Sequence, residues 1–435
     1  MKTNTVISVF SALFAAGAAV ATPAVSNVSF SHDPAERTVI VNYDLSESAI
    51  VTVDVKTNGV SIGSTGLQAT CGDVNRIVEA GTGKTVCWYA ERGWPDRRLE
   101  AGTVTVDVKA WTTNAPPKYC VVDLTGKNGA PVGSKYYCDD LDVTNRIYKT
   151  DYLVFRYIPA KDVIFPMGMP KYNWYHDDNL LNCHRVKLTN DYYIAIYELT
   201  QGQYRNVSGN YAVSISLWPD TPTHPVDSYL YMNFRGIGKF WPDDGHSSET
   251  STGGSGTMLN IFREKLDLPT LDFPTEAEWE FACRAGTAEH RYDGVDADGA
   301  GNIAAPNNLA WSYHNTPTDS GYKRPQEVGL LQPNGFGLYD MLGNVWEMCL
   351  DYYGVYPAAQ NSDAVPNAIA PVGPEQDING NTGASALRVK RGGSVDDTSA
   401  TLLSYERQGQ PMDSGAYPTD STRPLRFGYR LVFVP

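Results

Sequence analysis

Residues 333–348 constrain the fold of this chain more than any other stretch, because glycines alternate there with large apolar side chains. The stretch opens with the turn-forming run Pro333-Asn334-Gly335, and its pair Gly343-Asn344 tolerates positive φ. The apolar side chains that need partners in a core are Phe336, Leu338, Met341, Leu342, Val345 and Trp346. We therefore predict an irregular backbone pinned into a core.

Two carboxylates, Asp340 and Glu347, lie in the same stretch. Carboxylate oxygens and accessible backbone carbonyls are the ligands that hard cations such as calcium prefer. The stretch is thus a candidate cation site. The alternative is that it only packs and that both acids face water.

Length and composition limit the class of protein. A chain of 435 residues exceeds what one hydrophobic core usually serves, which favours two or three domains. A hydrophobic fraction of 42% with 19% charged residues excludes a disordered chain. A formal net charge of −14 argues against nucleic-acid and anionic-membrane partners, which select basic surfaces.

The first residues have the pattern of a signal peptide. Lys2 precedes an apolar run over residues 6–20, and Ala19-Val20-Ala21 has the small-x-small form of a cleavage site. We predict a signal peptide over residues 1–21 and no membrane span, since the run is too short for one. The mature protein is then secreted, periplasmic or on the cell surface.

Export makes disulfides possible, and the chain has seven cysteines, so at least one stays unpaired. Cys71 with Cys87 and Cys120 with Cys138 lie in strand and turn segments, and we expect each pair to form a local bridge.

Residues 22–113 show short alternating strands with Gly, Pro and Asp turns and no helix signal. This pattern predicts an immunoglobulin-like or fibronectin-like β-sandwich. Residues 114–150 follow as a proline-containing linker and a hairpin.

The stretch over residues 337–348 resembles the Gly-Leu-Tyr-Asp-Met-x-Gly-Asn-x-Trp-Glu-Trp block of the formylglycine-generating enzyme, or sulfatase-modifying factor, family, with Met348 at the last position. Further blocks follow in the order of that family: residues 184–189, 197–204, 271–287, 388–394 and 427–432. The resemblance implies that residues 151–435 form an α+β domain like a C-type lectin. Within it we predict a helix from Ser228 to Phe240 and another that starts with a capping box of Thr275 and Glu278.

The resemblance also implies metal ligands. It places calcium at the side chains of Asp340 and Glu347 with the carbonyls of Gly343 and Val345. A further site falls on the pair Asn308-Leu309.

The enzymes of the family hold copper between two cysteine thiolates, because soft sulfur ligands favour the cuprous ion. The resemblance places those positions at Leu402 and Arg407, and no cysteine follows Cys349. We therefore expect neither copper nor thiol-copper chemistry. The usual metalloprotease, hydrolase and phosphate-binding motifs are also missing from the sequence.

The C-terminal segment, which lines the substrate groove in the family, is polar and aromatic in this chain. Its candidate binding residues are Tyr405, Arg407, Gln408, Asp413, Tyr417 and Arg423. The sequence thus favours an exported, catalytically silent module that binds a protein, peptide or glycan ligand. The alternatives are a family oxidoreductase with an altered active site, acting on a protein or peptide, and a structural surface protein.

Overall fold

The computed structural model describes residues 22–33, 37–63, 67, 70–90, 99, 103–127, 131–169, 183–209, 216, 218, 221–236, 257–295, 304–319, 321–356, 368–369, 373–374, 376–382, 385–412 and 426–435. The predicted signal peptide, residues 1–21, and three predicted groove residues, Asp413, Tyr417 and Arg423, lie outside these ranges. Within them, no helix has the length and apolar character that crossing a membrane requires.

The N-terminal region is all-β. Its strands are β1 (Val25–Asp33), β2 (Thr38–Leu45), β3 (Ala49–Thr57), β4 (Val60–Ser61), β5 (Thr70–Gly72), β6 (Ile77–Val78), β7 (Gly81–Tyr89) and β8 (Val104–Trp111). One sheet has the order β1-β2-β7-β5, and the other has the order β4-β3-β6 with β8 also paired to β3. The immunoglobulin-like or fibronectin-like topology stays a prediction.

Alternation of apolar and polar residues along the strands explains why the two sheets of this region pack against each other. In β2, Val39, Val41 and Tyr43 are buried, whereas Ile40 and Asn42 face solvent. Because successive side chains of a strand point to opposite faces, one face of each sheet is apolar and meets the other sheet. The two sheets share one hydrophobic core.

The C-terminal region mixes helices and strands. Its strands are β9 (Tyr119–Asp123), β10 (Lys135–Cys138), β11 (Tyr152–Ile158), β12 (Ile164–Met167), β13 (His184–Lys187), β14 (Tyr192–Ala195), β15 (Thr318–Asp319), β16 (Tyr322–Lys323), β17 (Trp346–Tyr352), β18 (Ala368–Ile369), β19 (Leu387–Arg391), β20 (Arg407–Pro411), β21 (Phe427–Gly428) and β22 (Val432–Phe433). Its helices are a 3-10 helix (Arg146–Lys149), α1 (Gln201–Ser208), α2 (Tyr231–Phe234), α3 (Met258–Leu266) and α4 (Glu276–Arg284).

The predicted hairpin of residues 114–150 forms, but it belongs to the C-terminal region. Strands β9 and β10 pair with each other, and β9 also pairs with β11 in the five-stranded sheet β10-β9-β11-β14-β22. Both faces of that sheet pack against hydrophobic cores, so its strands are mostly apolar on both faces. The α+β region therefore starts at β9 rather than at residue 151.

The strand register is compatible with one of the two predicted disulfides and incompatible with the other. Cys71 lies directly opposite Cys87 in the pairing of β5 with β7, which is the placement that a bridge needs. Cys120 instead lies opposite Tyr137, and Cys138 lies opposite Tyr119. A shift of one position points the two sulfurs to opposite faces of the sheet, so the predicted bridge between Cys120 and Cys138 is wrong. The two side chains also pack against different cores.

The structure confirms the capping box that was predicted at the start of helix α4. The hydroxyl of Thr275 accepts a hydrogen bond from the Glu278 backbone N–H at 3.2 Å, and the Glu278 side chain accepts one from the Thr275 N–H at 2.8 Å. The helix predicted from Ser228 to Phe240 is shorter within the described residues, because only Tyr231–Phe234 is helical and Arg235 and Gly236 follow it as turn and loop.

The glycine-rich stretch runs through the core and leads into the sheet β20-β19-β17-β21. Leu338, Met341 and Leu342 are fully buried. Gly343 has φ +82°, and a Cβ there would meet the carbonyl oxygen of Trp311 at 2.2 Å, so only glycine fits. The predicted irregular backbone pinned into a core is confirmed.

Candidate functional site

The predicted calcium ligand Glu347 is held by an arginine. Its carboxylate accepts hydrogen bonds from Arg430 Nε at 2.9 and 3.0 Å and from Nη2 at 2.6 Å. The Trp279 indole N–H from helix α4 donates to the same carboxylate at 2.6 Å. Both oxygens are therefore committed, and the positive charge beside Glu347 belongs to the chain itself.

Asp340 lies in the same buried cluster with one oxygen unused. Its Oδ2 accepts the Gly329 N–H at 2.6 Å, and its Oδ1 has no hydrogen-bond partner within the described ranges. Burial raises the pKa of Asp340 to about 6. Burial and the charges of Asp340 and Glu347 also hold the pKa of Glu198 well above its usual range.

As they are paired, these residues do not fit a calcium ion. Arg430 occupies Glu347, the carbonyl of Asn308 accepts the Gln332 N–H at 2.9 Å, and that of Leu309 accepts the Tyr292 hydroxyl at 3.4 Å. In the part of the chain that the structure describes, no three His, Cys, Asp or Glu side chains converge as metal ligands.

Arg407 lies in a buried ion-pair network on helix α4. Its Nε and Nη2 donate to the two oxygens of Glu276 at 2.7 and 2.8 Å. Its guanidinium carbon lies 4.1 Å from the ring centroid of Tyr356, whose hydroxyl donates to Glu276. Arg391 contacts both Glu276 and Glu280 from β19.

This burial corrects the predicted groove. Arg407 and Tyr405 are both buried, and the Tyr405 hydroxyl lies 2.6 Å from His290 Nδ1. Leu402 is fully buried, where its side chain covers Gly393. Of the predicted groove residues within the described ranges, only Gln408 is partly exposed. Arg407 and Tyr405 hold the fold, because their polar groups are committed to Glu276 and His290.

Two other cations near the C-terminal sheet were not predicted, and each lies on a tryptophan. The Lys390 Nζ is 4.9 Å from the ring centroid of Trp346, and the Arg426 guanidinium carbon is 4.8 Å from that of Trp218. The Trp346 N–H donates to the Arg426 carbonyl at 2.8 Å, which brings the two sites together.

Arg426 uses little of its hydrogen-bonding capacity. Its Nε donates to Asp396 at 2.7 Å, but its buried Nη1 and Nη2 have no hydrogen-bond partner in the described part of the chain. Lys390 is buried without an ion-pair partner among those residues, and burial lowers its pKa to about 8. A buried donor left unpaired costs on the order of 1–3 kcal/mol, so such donors usually mark a place where water or a ligand binds.

Asp227 lies beside Arg426, and the hydroxyls of Ser216 and Ser228 lie near its carboxylate. Both of its carboxylate oxygens are buried without a hydrogen bond of good geometry in the described ranges. Burial raises its pKa to about 6, and the Arg426 charge is among the influences that lower it. We call Asp227, Lys390 and Arg426, with Trp218 and Trp346, the polar face.

The sequence holds only weak signals for the polar face. Lys390 lies in a strand with charged residues on both sides of Val389, a pattern that usually indicates a solvent-exposed strand. Arg426 has φ +54°, a left-handed backbone that is uncommon for arginine and that no sequence pattern announces.

Residues 159–432 match the family described as "Sulfatase-modifying factor enzyme 1-like domain". The formylglycine-generating enzyme of Thermomonospora curvata is 38% identical over 129 residues, which make up 28% of this chain and 37% of that protein. The Bos taurus formylglycine-generating enzyme is 32% identical over 129 residues, 28% of this chain and 29% of that protein. The mouse protein named "Inactive C-alpha-formylglycine-generating enzyme 2" is 32% identical over 120 residues, 23% of this chain and 36% of that protein. The chain thus spans about a third of the length of the curated relatives it matches.

Two solved structures are similar at low sequence identity. Treponema denticola variable protein 1 aligns with a TM-score of 0.44 and 22% identity over 65% of this chain and 96% of that one. PvdO from Pseudomonas aeruginosa aligns with a TM-score of 0.44 and 17% identity over 65% of this chain and 95% of that one.

Proposed function

Because the chain belongs to the sulfatase-modifying factor enzyme 1-like domain family through residues 159–432, we propose that it is a catalytically silent member that binds a ligand. One observation carries the proposal. No cysteine follows Cys349, and the positions that the resemblance assigns to the thiols hold Leu402 in the core and Arg407 in an ion pair. A permanent positive charge repels a metal ion, and an aliphatic side chain offers it no ligand.

The two cysteines of the C-terminal core do not replace the missing thiols. Cys283 and Cys349 are fully buried. Burial raises the pKa of Cys283 to about 12 and that of Cys349 well above its usual range. Copper binds the thiolate, so enclosed and protonated thiols have little affinity for it. The mouse relative named as inactive supports the idea that the family includes members without activity.

The proposal has two parts, the lack of catalysis and the binding of a ligand, and the polar face supports the second. Arg426 has two buried guanidinium nitrogens without a partner among the described residues, and the Asp227 carboxylate beside it accepts no well-formed hydrogen bond there. A group that presents an acceptor beside a donor satisfies both sides at once, and protein, peptide and glycan ligands all carry such groups. We propose that the ligand of this face is a protein, peptide or glycan of the cell's surroundings, since the sequence of residues 1–21 predicts export.

The catalytic half is tested with a sulfatase-type Cys-x-Pro-x-Arg peptide, copper and oxygen, with the Thermomonospora curvata enzyme assayed in parallel. We expect no loss of substrate thiol and no aldehyde by mass spectrometry. Aldehyde above a no-protein control would return the chain to the oxidoreductases of the family, with an altered site.

The binding half is tested by panning a random-peptide display library and a glycan array against the immobilised protein. We expect a bound ligand whose retention falls about tenfold or more in Arg426→Ala, the loss typical of a hydrogen bond to a charged group. Lys127→Ala is the matched control, because Lys127 pairs with Asp151 at the surface. Enrichment that both variants retain, or no enrichment at all, would favour the structural surface protein.

A further inference from the structure

A second site candidate lies far from the polar face, at the junction of the two regions. A cavity of about 290 Å³ opens between strands β3 and β8 of the N-terminal region and strand β10 of the C-terminal region. The Tyr137 N–H donates to Asn75 Oδ1 at 3.3 Å across this junction. The cavity therefore has walls from both regions.

Three carboxylates line the cavity, those of Asp54, Asp139 and Asp140, and each has at least one oxygen without a hydrogen bond to the described residues. Asp54 Oδ1 accepts the Ser61 hydroxyl at 2.6 Å and Asp139 Oδ1 accepts the Lys118 N–H at 2.9 Å, which leaves the second oxygen of each carboxylate available. Asp140 makes no hydrogen bond to the described residues and is exposed. The open carboxylate oxygens select a ligand that is rich in hydrogen-bond donors.

A metal ion does not meet this description. No three acidic, cysteine or histidine side chains in the described ranges converge as metal ligands, so the three carboxylates contact a ligand at separate points. A polyol meets this requirement because its hydroxyls are spread over a ring.

The surroundings of Trp111 favour a neutral sugar over a polyamine, the other common kind of ligand that is rich in hydrogen-bond donors. The Trp111 N–H donates to the Thr52 hydroxyl at 2.8 Å, which fixes the ring at the cavity. The Lys109 ammonium lies 5.7 Å from the centroid of that ring, so a cation already occupies the cation–π position. A second cation would be repelled there, whereas a neutral sugar can accept a hydrogen bond from Lys109.

We propose that this cavity binds a neutral pyranose, with its hydroxyls on Asp54, Asp139, Asp140 and Lys109 and with its ring at the edge of Trp111 beside the Lys109 ammonium. This site is independent of the polar face. It makes the N-terminal region a second binding element rather than a spacer.

The test is isothermal titration of the full chain with the methyl glycosides of glucose, galactose, mannose and N-acetylglucosamine. We expect at least one sugar to bind, and we expect Asp140→Asn to weaken it about fivefold by removing one charged acceptor. Asp107→Asn is the matched control, since Asp107 lies on β8 opposite Asp54, pairs with Lys56 and does not line the cavity.

Trp111→Ala adds a second variant that should abolish binding. Should it fail to fold, judged by its thermal melt, Asp140→Asn still decides the matter. Binding that Asp140→Asn leaves unchanged, or no binding by any of the four sugars, overturns the proposal.

Discussion

In the N-terminal region the described ion pairs lie at the surface, whereas the C-terminal region also buries several ion pairs in its core. The side chains of Lys56 and Asp107 are 32% and 49% exposed, and those of Arg391 and Glu280 are both 0% exposed. The N-terminal core is apolar, and alternation alone accounts for it. The C-terminal core needs paired charges as well as apolar contacts, and a charge that is buried with its partner is costly to leave alone.

The largest expected difference between the regions concerns ion pairs. Arg391→Met leaves Glu276 and Glu280 with less compensation in the core, so we expect the free energy of unfolding of the C-terminal region to fall by about 3–5 kcal/mol. Lys56→Met removes a solvent-screened surface pair and should change the stability far less. Chemical denaturation followed by tryptophan fluorescence measures both. Equal losses would remove the contrast between the regions.

The next effect is that of the predicted disulfide in the N-terminal region. We propose a bridge between Cys71 and Cys87, which would stabilise that region by about 3 kcal/mol for a loop of this length. Peptide mapping without reduction should find these two cysteines linked and Cys120 not linked to Cys138. Alkylation of Cys71 and Cys87 as thiols in protein from an oxidising compartment would refute the bridge.

A contrast of similar size lies in pH dependence. Burial raises the pKa of Asp340 to about 6, so the folded state holds a proton that the unfolded state releases. This contribution, about 3 kcal/mol, is fully present below the ordinary aspartate pKa and is lost as the pH rises through about 6. We expect the C-terminal region to lose stability between about pH 4 and pH 7 and Asp340→Asn to reduce that loss. A pH profile that the variant does not alter contradicts the assignment.

The smallest expected effect is that of chelation. The resemblance to the family implies calcium and so predicts a lower Tm in excess EDTA, by mass action. Because Glu347 is paired with Arg430, we expect no change in the Tm when EDTA is added. A calorimetric scan with and without chelator distinguishes the two. A drop of several degrees would show that a cation competes with Arg430.

Much of the fold could be predicted from the sequence because local chemistry determines it. The capping box at Thr275 satisfies backbone donors by itself, and Gly343 is required by a steric contact that any other side chain would violate. The central stretch and the order of the family blocks therefore placed the core correctly. The hairpin was also predicted, but its union with β11 depends on a pairing between distant strands that local patterns do not encode.

The site was predicted less well, because burial of a charged residue depends on its partners. Arg407 and Tyr405 lie in a polar segment, which usually indicates a surface. Only the position of Glu276, 131 residues away in the sequence, explains why Arg407 is buried. The polar face was missed for the same reason, since Arg426 and Asp227 come together only in the folded chain.

The hairpin also determines how the two regions share a mechanical load. The N-terminal region joins the rest of the chain at β9, and β9 is hydrogen-bonded on both sides, to β10 and to β11. A pull transmitted along β9 loads both ladders together, so many bonds resist it at once. Because the bonds of both ladders act together, this arrangement resists shear at the joint better than a flexible tether does.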